Sequence, residues 1–327
     1  SKQSTFSPEV YLATETSGRV ITGSNYHAYI KIAEGCNQSC SFCAIPSFKG
    51  KLHSRSLSSI VKEVEMLVKD GYYDFSFISQ DSSSYGRDMK MSDGLIELIK
   101  GVERIEGVKS ARILYLYPST TTFALIDAIS DSKVFQTYFD MPIQHIEDSV
   151  LKTMKRGFGE KKTIELLEYM QSKPNAFLRT SLIAGHPGES DTSFQHLCEF
   201  MNSFKFDRFN TFHYSNEETT SAYNLEQISQ EVIDERADIL GEIAEACTVL
   251  SLESMVGKTI TLVIDGESDE HEYLLSARPL SWAVDIDGEI LINDTSDLPV
   301  EYGKLYEAKI TELVGSQLLA TLIKPSH

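Results

Sequence analysis

Short β-rich segments alternate with amphipathic segments from about residue 26 to residue 215, and this pattern constrains the fold more than any other feature. A βαβα order predicts a mainly parallel sheet covered by helices. Right-handed crossovers allow such strands to form either a partial (β/α) barrel or an open, doubly wound sheet, and composition does not choose between them. The six strands are predicted at residues 27–34, 73–80, 111–118, 135–143, 176–185 and 207–215.

The rest of the chain predicts a packing helix followed by a small β-barrel. Residues 216–254 contain ten acidic residues and a single basic one, Arg236, which indicates a helix with an acidic outer face. Its predicted apolar stripe consists of Val232, Leu240, Ile243, Ala244 and Cys247. After Gly257, five short alternating segments separated by Asp-Gly and Gly-Ser turns predict five barrel strands.

Composition and charge exclude several classes of protein. The 41% hydrophobic and 24% charged residues are typical of a globular chain, not a disordered one. No segment approaches the roughly 18 apolar residues of a spanning helix, and the first residues lack the order of a signal peptide, so a cytoplasmic location is expected. Thirty Lys and Arg against 48 Asp and Glu give a net charge of −18, which repels phosphate backbones and favours basic partners.

Three of the five cysteines, Cys36, Cys40 and Cys43, lie within eight residues in a C-x3-C-x2-C pattern after the first predicted strand. An odd number of cysteines without an export signal favours metal binding over a disulfide framework. Three thiolates can bind three irons of a cubane cluster and leave the fourth iron open to a small molecule. Phe42 fits the aromatic residue that is usual beside the third cysteine in radical S-adenosylmethionine enzymes, and the spacing favours that class.

Two other metal sites remain open alternatives at this point. A structural zinc site needs four ligands, so His53 would have to complete the set. An ordinary electron-transfer cluster would instead recruit Cys198 or Cys247 as its fourth thiolate. No second pair of neighbouring cysteines supports either alternative.

Six motifs carry a more specific resemblance: CNQSCSFCAIPSFKGKLHSRS (36–56), ISQDSSSYGRD (78–88), YLYPS (115–119), MPIQH (141–145), MKRG (154–157) and IAGHPGES (183–190). Together they resemble the methylthiotransferase branch of the radical S-adenosylmethionine enzymes. The ISQD and SSSYG sequences, with VDIDGEILI near the end, are more similar to the ribosomal-protein aspartate methylthiotransferases than to the transfer-RNA adenosine enzymes.

The resemblance implies an α/β fold, a partial (β/α) barrel of the radical S-adenosylmethionine type at 26–254, followed by a small all-β TRAM barrel at 255–327. Residues 1–25 would be an extension or linker. It implies a 4Fe–4S cluster on the three clustered cysteines, S-adenosylmethionine as a second cofactor, and an electron donor such as flavodoxin or ferredoxin. Cleavage of S-adenosylmethionine would give a radical that abstracts hydrogen from an unactivated carbon.

The implied reaction adds a methylthio group to the β-carbon of an aspartate in small-subunit ribosomal protein twelve. Family members carry a further N-terminal domain with three cysteines and a second 4Fe–4S cluster that donates the sulfur. Residues 1–25 contain no cysteine, so this chain is expected to lack that cluster. The alternatives are a transfer-RNA adenosine methylthiotransferase and a non-enzymatic iron–sulfur or zinc module.

Ligand groups of a parallel barrel lie at the C-terminal ends of its strands, and several candidates follow predicted strands. The resemblance favours Gln80 as a partner of the methionine amino group, whereas Asp81 fits a turn or helix cap equally well. Arg156 and Arg179 could pair with a substrate carboxylate or the cofactor ribose, or form surface salt bridges. The predicted cofactor-binding residues are Phe42, Gln80, Gln144, Arg156, Arg179, Gly185 and Pro187.

Three side chains have weaker predicted roles. Tyr115 and Tyr117 are spaced to point the same way from a strand and are assigned to the mouth of the substrate site. His145 is a polar barrel residue that needs no role beyond a hydrogen bond.

The predicted barrel at 255–327 carries 5 Lys and Arg against 13 Asp and Glu. An RNA-binding barrel should be basic, so a nucleic acid is not expected as the direct substrate. A basic ribosomal protein is the expected partner, attracted by acids that include Asp285, Asp287 and Glu289.

Overall fold

A curved layer of six parallel strands forms the N-terminal part of the computed structural model, which describes residues 12–269 and 271–326. The strands of this part, including a short hairpin beside the layer, are β1 (His27–Lys31), β2 (Ala33–Glu34), β3 (His53–Ser54), β4 (Asp74–Ile78), β5 (Ser110–Ile113), β6 (Tyr138–Asp140), β7 (Phe177–Ala184) and β8 (Arg208–His213). Its helices are α1 (Ile45–Lys49), α2 (Leu57–Lys69), α3 (Gly94–Glu103), α4 (Phe123–Ser130), α5 (Asp148–Thr153), α6 (Glu160–Gln171), α7 (Asp191–Ser203) and α8 (Gln230–Glu253).

The parallel pairing of these strands confirms the partial (β/α) barrel. Strands β1, β4 and β5 pair in parallel, and so do β6, β7 and β8. A parallel bridge between Ala111 and Phe135 joins the two groups, so the layer runs continuously through all six strands. Strands β2 and β3 form the separate two-stranded hairpin after β1.

Two of the predicted strands are much shorter than expected. The strand predicted at 111–118 ends at Ile113, because Tyr115 adopts a left-handed φ of 61° and Pro118 begins a 3-10 turn. The strand predicted at 135–143 is reduced to Tyr138–Asp140. In both places the chain leaves the sheet early, and the residues that follow line the pocket described below.

Helix α8 packs on the barrel through a stripe that starts one residue later than predicted. Ile233, Ala237 and Leu240 are buried, whereas Val232 is only partly covered. The single basic residue, Arg236, is buried in this stripe and pairs with Glu189. Within the described ranges, no helix combines the length and the apolar character that crossing a membrane requires.

The C-terminal residues form the predicted five-stranded barrel. It closes in the order β10-β11-β13-β12-β9 and consists of β9 (Thr259–Glu267), β10 (Leu275–Pro279), β11 (Ile290–Asp294), β12 (Leu305–Val314) and β13 (Gln317–Ser326). The strand predicted from WAVDIDGEILI is wrong in its first half, because residues 280–289 form a loop. Trp282 of this loop packs with Tyr138 and Phe177 of the large barrel, so the loop joins the two barrels.

Candidate functional site

A pocket of about 290 Å³ lies at the C-terminal ends of the parallel strands and is lined by Cys36, Cys40 and Cys43. All three are free thiols. Five other predicted site residues line the same pocket, namely Phe42, Gln80, Gln144, Arg156 and Arg179. The structure therefore brings together every predicted cofactor-binding residue except Gly185 and Pro187.

Gly185 and Pro187 belong to a turn that is tied to the helices instead. The Gly185 N–H donates to Glu189 Oε2 at 3.1 Å, and the Glu189 Oε1 atom accepts from Arg236 at 2.8 Å. Pro187 lines a separate surface cavity beside Thr153. A contact between this turn and a ligand stays a prediction.

The cysteine loop is held in place by close contact with a second backbone segment. The Cys36 N–H donates to the Gly50 carbonyl at 3.1 Å, and Asn37 Oδ1 accepts from the Leu52 N–H at 3.1 Å. Gly35 has a φ of 73°, and a Cβ atom there would lie 2.1 Å from the Lys51 carbonyl oxygen. Only glycine fits this approach, so the sequence before Cys36 fixes the path of the loop.

Burial disfavours the thiolate form of two of the clustered cysteines. Burial raises the pKa of Cys36 to about 11 and raises the pKa of Cys43 above its usual value. Iron binding must displace these protons, because the thiolate is the form that ligates metal.

The spacing of the thiols disfavours a single zinc ion. A zinc ion with Zn–S bonds of about 2.3 Å holds its sulfurs roughly 3.8 Å apart. In the described ranges, three ligand atoms that all lie within 4.8 Å of one another occur at Glu147, Glu160 and His196, not at the cysteines. A cubane cluster spaces its thiolates more widely, since each binds a different iron.

The fourth ligands that the alternatives require are not supplied. His53 is exposed and its Nδ1 atom bonds to the Lys51 carbonyl at 2.7 Å, away from the pocket. Cys198 on α7 and Cys247 on α8 pack against the core instead of lining the pocket. The donor set therefore fits a cluster with three protein ligands.

Two amide side chains offer unpaired acceptors to a ligand in the same pocket. Gln80 Oε1 and Gln144 Oε1 are buried and have no hydrogen-bond partner. Gln144 also holds an uncommon left-handed φ of 70°. Because a buried acceptor without a donor is costly, these oxygens fit the ammonium group of S-adenosylmethionine.

Asp81 has the capping role that was its alternative interpretation. Its carboxylate accepts from the Ser84 N–H at 3.1 Å at the start of a 3-10 turn. It also accepts from Gln38 Nε2 at 2.7 Å, which ties the cysteine loop to the end of β4.

Arg156 does not form a surface salt bridge, so the alternative interpretation of this residue is wrong. The residue is 4% exposed, and its Nη1 atom lies 3.3 Å from Cys40 Sγ. Its guanidinium lies over the ring of Tyr117, whose hydroxyl is 3.4 Å from the same sulfur. Tyr117 is thus buried beside the cysteines, and no sequence pattern indicated its contact with Cys40.

Arg179 is held by two carboxylates, one from each barrel. Its Nη1 atom donates to Asp140 Oδ1 at 2.9 Å, and its Nε atom lies 3.7 Å from Asp287 Oδ1. Asp140 also accepts from the Tyr115 N–H at 3.0 Å, which places the exposed Tyr115 side chain at the rim of the pocket. Burial raises the pKa of Asp140, although Arg179 opposes this effect.

Asp140 was not among the predicted site residues, and Asp287 lies in a different environment from the one predicted. The signal for Asp140 was an acidic residue directly after the aromatic-rich run FQTYF. Asp287 is buried and accepts from the Ala283 N–H at 2.7 Å, so its predicted role as a free steering charge is wrong. Asp285 is exposed, and its steering role stays a prediction.

His145 and His186 are interior residues. Burial lowers the pKa of His145 to about 3 and that of His186 to about 4, so both are neutral near pH 7. The Nδ1 atom of His145 accepts from the Glu147 N–H at 3.0 Å. This agrees with the expectation that His145 is simply hydrogen-bonded.

A larger, acidic cavity of about 550 Å³ lies between the C-terminal barrel and the segments around Ser24 and Thr248. Burial raises the pKa of Asp265 in its wall to about 6. The Arg208 and Arg278 side chains also reach the cavity. Its six acidic lining residues are Asp265, Glu267, Asp269, Asp285, Asp287 and Glu289.

Comparison with known proteins places this site in a family. The profile of the Radical SAM superfamily matches residues 30–201, and that of the TRAM domain matches residues 256–323. A ribosomal protein uS12 methylthiotransferase RimO from Sulfurovum sp. (strain NBC37-1) is 84% identical over 99% of this chain and 74% of its own length. The chain belongs to the RimO family. RimO from Aliarcobacter butzleri (strain RM4018) is 62% identical over 99% of this chain and 73% of its own length.

Solved structures confirm the fold expected for RimO proteins. Coproporphyrinogen III oxidase (HemN) from Escherichia coli superposes with a TM-score of 0.52 at 16% identity, covering 73% of this chain and 57% of that chain. The radical methyltransferase TsrM from Kitasatospora setae superposes with a TM-score of 0.50 at 16% identity, covering 60% of this chain and 35% of that chain. At such low identity the likeness concerns the fold alone.

Proposed function

We propose that this chain is the radical and substrate-binding part of an enzyme that methylthiolates the β-carbon of an aspartate in ribosomal protein uS12. The observation that carries the proposal is the pocket that gathers three thiols, two unpaired amide oxygens and two arginines in a chain 84% identical to a RimO protein. Membership of that family favours a ribosomal protein over transfer RNA as the substrate.

The cysteines and the two glutamines of the pocket then have distinct proposed roles. Cys36, Cys40 and Cys43 hold a 4Fe–4S cluster, while Gln80 and Gln144 accept from the ammonium group of S-adenosylmethionine. When bound, the cluster supplies the electron that cleaves S-adenosylmethionine into a fragment able to abstract hydrogen from an unactivated carbon.

The remaining wall orients the reactants and keeps water out. Arg179 presents a guanidinium to a carboxylate, either of the cofactor or of the target aspartate. Phe42, Ile45 and Leu116 contribute apolar surface to the pocket, which shields a reactive species from solvent. Tyr115 at the rim is placed to meet the incoming protein.

The acidic cavity of the TRAM barrel supports a basic protein as the partner. Exposed acids such as Glu267, Asp269 and Asp285 attract Lys and Arg side chains and repel phosphate. We therefore propose that a basic segment of uS12 docks at this cavity while its target aspartate enters the cysteine pocket.

Four further proposals extend this function. We infer that the chain divides into a linker at 1–25, a radical domain at 26–254 and a TRAM domain at 255–327; residues 1–11 lie outside the described residues.

Sulfur insertion would draw on a second 4Fe–4S cluster held by cysteines outside these 327 residues. Flavodoxin or ferredoxin would supply the electron, and the free thiols suit a reducing cytoplasm.

The test is anaerobic incubation of the reconstituted chain with S-adenosylmethionine and dithionite. We expect about four irons per chain and formation of 5′-deoxyadenosine. Addition of uS12 and a source of the second cluster should give methylthiolated uS12, detected by mass spectrometry. Zinc in place of iron, or modification of transfer RNA instead of uS12, would overturn the proposal.

A further inference from the structure

Arg156 is the one buried arginine of the described ranges that has no carboxylate partner. The other four, Arg55, Arg112, Arg236 and Arg278, each form an ion pair with Asp or Glu. The Arg156 donors instead reach Cys40 Sγ and the Pro142 carbonyl, and its Nε atom is buried without a partner. A buried, uncompensated cation is strongly unfavourable, so the missing negative charge has to come from the pocket.

The guanidinium of Arg156 is fixed against Cys40 by Tyr117. The Arg156 Cζ atom lies 4.3 Å from the centre of the Tyr117 ring, and the Tyr117 hydroxyl lies 3.1 Å from the Arg156 carbonyl oxygen. The same hydroxyl lies 3.4 Å from Cys40 Sγ. Stacking and hydrogen bonding together hold the cation beside one sulfur atom.

The three cysteines therefore differ in their surroundings. Cys36 Sγ accepts only from the backbone N–H of Gln38, at 3.4 Å. Among the described residues, no side-chain donor lies within hydrogen-bonding distance of the sulfur of Cys36 or Cys43. Cys40 alone receives a charged donor, so the effect of a charged hydrogen bond on the cluster falls on this ligand.

We propose that Arg156, stacked on Tyr117, is the counter-charge of the iron–sulfur cluster and raises its reduction potential through the hydrogen bond to Cys40. This inference rests on the proposed function of the cysteine trio. A cluster with three thiolates carries net negative charge, and one electron from a donor such as dithionite adds another. A guanidinium, which stays protonated, stabilises the reduced form more than the oxidised form. Arg156 is thus a positioning and tuning residue.

The test is the midpoint potential of the cluster, measured by potentiometric titration with electron paramagnetic resonance and without S-adenosylmethionine. Arg156→Met removes the charge and should disfavour reduction about tenfold, which is 59 mV for a one-electron couple. Arg156→Lys keeps the charge and should shift the potential less, in the same direction. Tyr117→Phe should also give a smaller shift in that direction.

Lys155→Met is the matched control, because it removes the same charge from the neighbouring residue. Lys155 is exposed and bonds to Ser221, not to a cysteine. Its midpoint potential should equal that of the unaltered chain. An Arg156→Met chain with full iron content and the potential of the control would overturn the inference.

A second measurement covers the case in which Arg156→Met fails to hold the cluster. The cluster-free form of this variant should then melt at a higher temperature than the cluster-free unaltered chain, because it no longer buries an unpaired cation. An equal or lower melting temperature, with no shift in Arg156→Lys, would also overturn the inference. If the unaltered chain itself binds no 4Fe–4S cluster, the proposed function fails first.

Discussion

Asp287 of the TRAM barrel lies 3.7 Å from the Nε atom of Arg179, a residue that lines the cysteine pocket of the radical domain. The loop that carries Asp287 makes further polar contacts with the large barrel. The Leu280 carbonyl accepts from Arg112 at 2.7 Å, and the Val284 carbonyl accepts from the Tyr29 hydroxyl at 2.9 Å. The TRAM barrel thus contacts both the large barrel and a residue that lines the cysteine pocket.

Replacement of Asp287 tests this contact. Asp287→Ala should lower the free energy of unfolding by about 3 kcal/mol, because the largely covered Arg179 and Arg208 lose part of their compensating charge. Asp285→Ala, two residues away and exposed, should change it by no more than about 0.5 kcal/mol. Chemical denaturation under anaerobic conditions measures both, and equal stability of the two variants would show that the contact contributes little.

The cysteine assignment predicts a sharp division among the five thiols. Replacing Cys36, Cys40 or Cys43 by Ala should abolish the visible absorbance of the cluster and the cleavage of S-adenosylmethionine, because each thiolate binds a different iron. Replacing Cys198 by Ala should change neither, since this residue packs against the helical core. Absorbance spectra and iron analysis distinguish the variants; loss of the cluster from the Cys198 variant would refute the assignment.

Local patterns were sufficient to predict most of the elements and the gathering of three cysteines in one loop. The alternation of strands and helices is a short-range property, and the C-x3-C-x2-C spacing places three thiols in one loop whatever the rest of the chain does. Gln80 and Gln144 could be placed at the pocket because each follows a strand whose end faces it.

The partners of these residues could not be predicted, because they depend on packing between distant segments. Arg179 contacts Asp140 from the neighbouring strand and Asp287 from the other barrel. Neither ion pair joins residues that are close in sequence, so no local pattern indicates it. The same applies to Tyr117 beside Cys40. The pattern WAVDIDG alternates like a strand, yet docking against the large barrel holds it as a loop.

The buried carboxyl group of Glu189, in the turn at Gly185, is expected to make the stability of the protein depend on pH. Burial raises the pKa of Glu189 to about 7, against the lowering effects of Arg236 and the Gly185 N–H. The folded state then holds a proton that the unfolded state has lost above about pH 4.5. The contribution is therefore fully present below that pH and is lost as the pH rises to about 7.

The comparison with Glu189→Gln isolates this effect. The difference in free energy of unfolding, unaltered chain minus variant, should fall by up to about 3 kcal/mol between about pH 4.5 and about pH 7.5. A difference is needed because burial lowers the pKa of His27 and His145 to about 3, and these groups titrate in the opposite sense. A difference that stays constant would show that Arg236 keeps Glu189 ionised in the folded chain.

The acidic cavity predicts how charge reversal changes binding of uS12. Changing the exposed residues Glu267, Asp269 and Asp285 to Lys should lower the association rate at least about tenfold at low salt and less at high salt, because salt screens the attraction. The control reverses three exposed acids outside the cavity, Glu253, Glu301 and Glu312. Stopped-flow kinetics compare the two at several salt concentrations; equal rates would mean that net charge, not the cavity, attracts the partner.

A substitution at Gly35 tests whether the cysteine loop depends on its close contact with the Lys51 backbone. Gly35→Ala should prevent normal assembly of the cluster, because the new Cβ atom would lie 2.1 Å from the Lys51 carbonyl oxygen and would push Cys36 out of place. The left-handed φ of 73° adds a cost of about 1–3 kcal/mol for any residue with a side chain. Gly71→Ala is the matched control, since Gly71 has a φ of 98° and a Cβ atom there would meet no other atom within 4 Å. The control should be mildly destabilised and retain its full iron content, so iron analysis and visible spectra separate the steric contact from the backbone strain. Full iron loading of both variants would show that the contact with Lys51 does not position the cluster ligands.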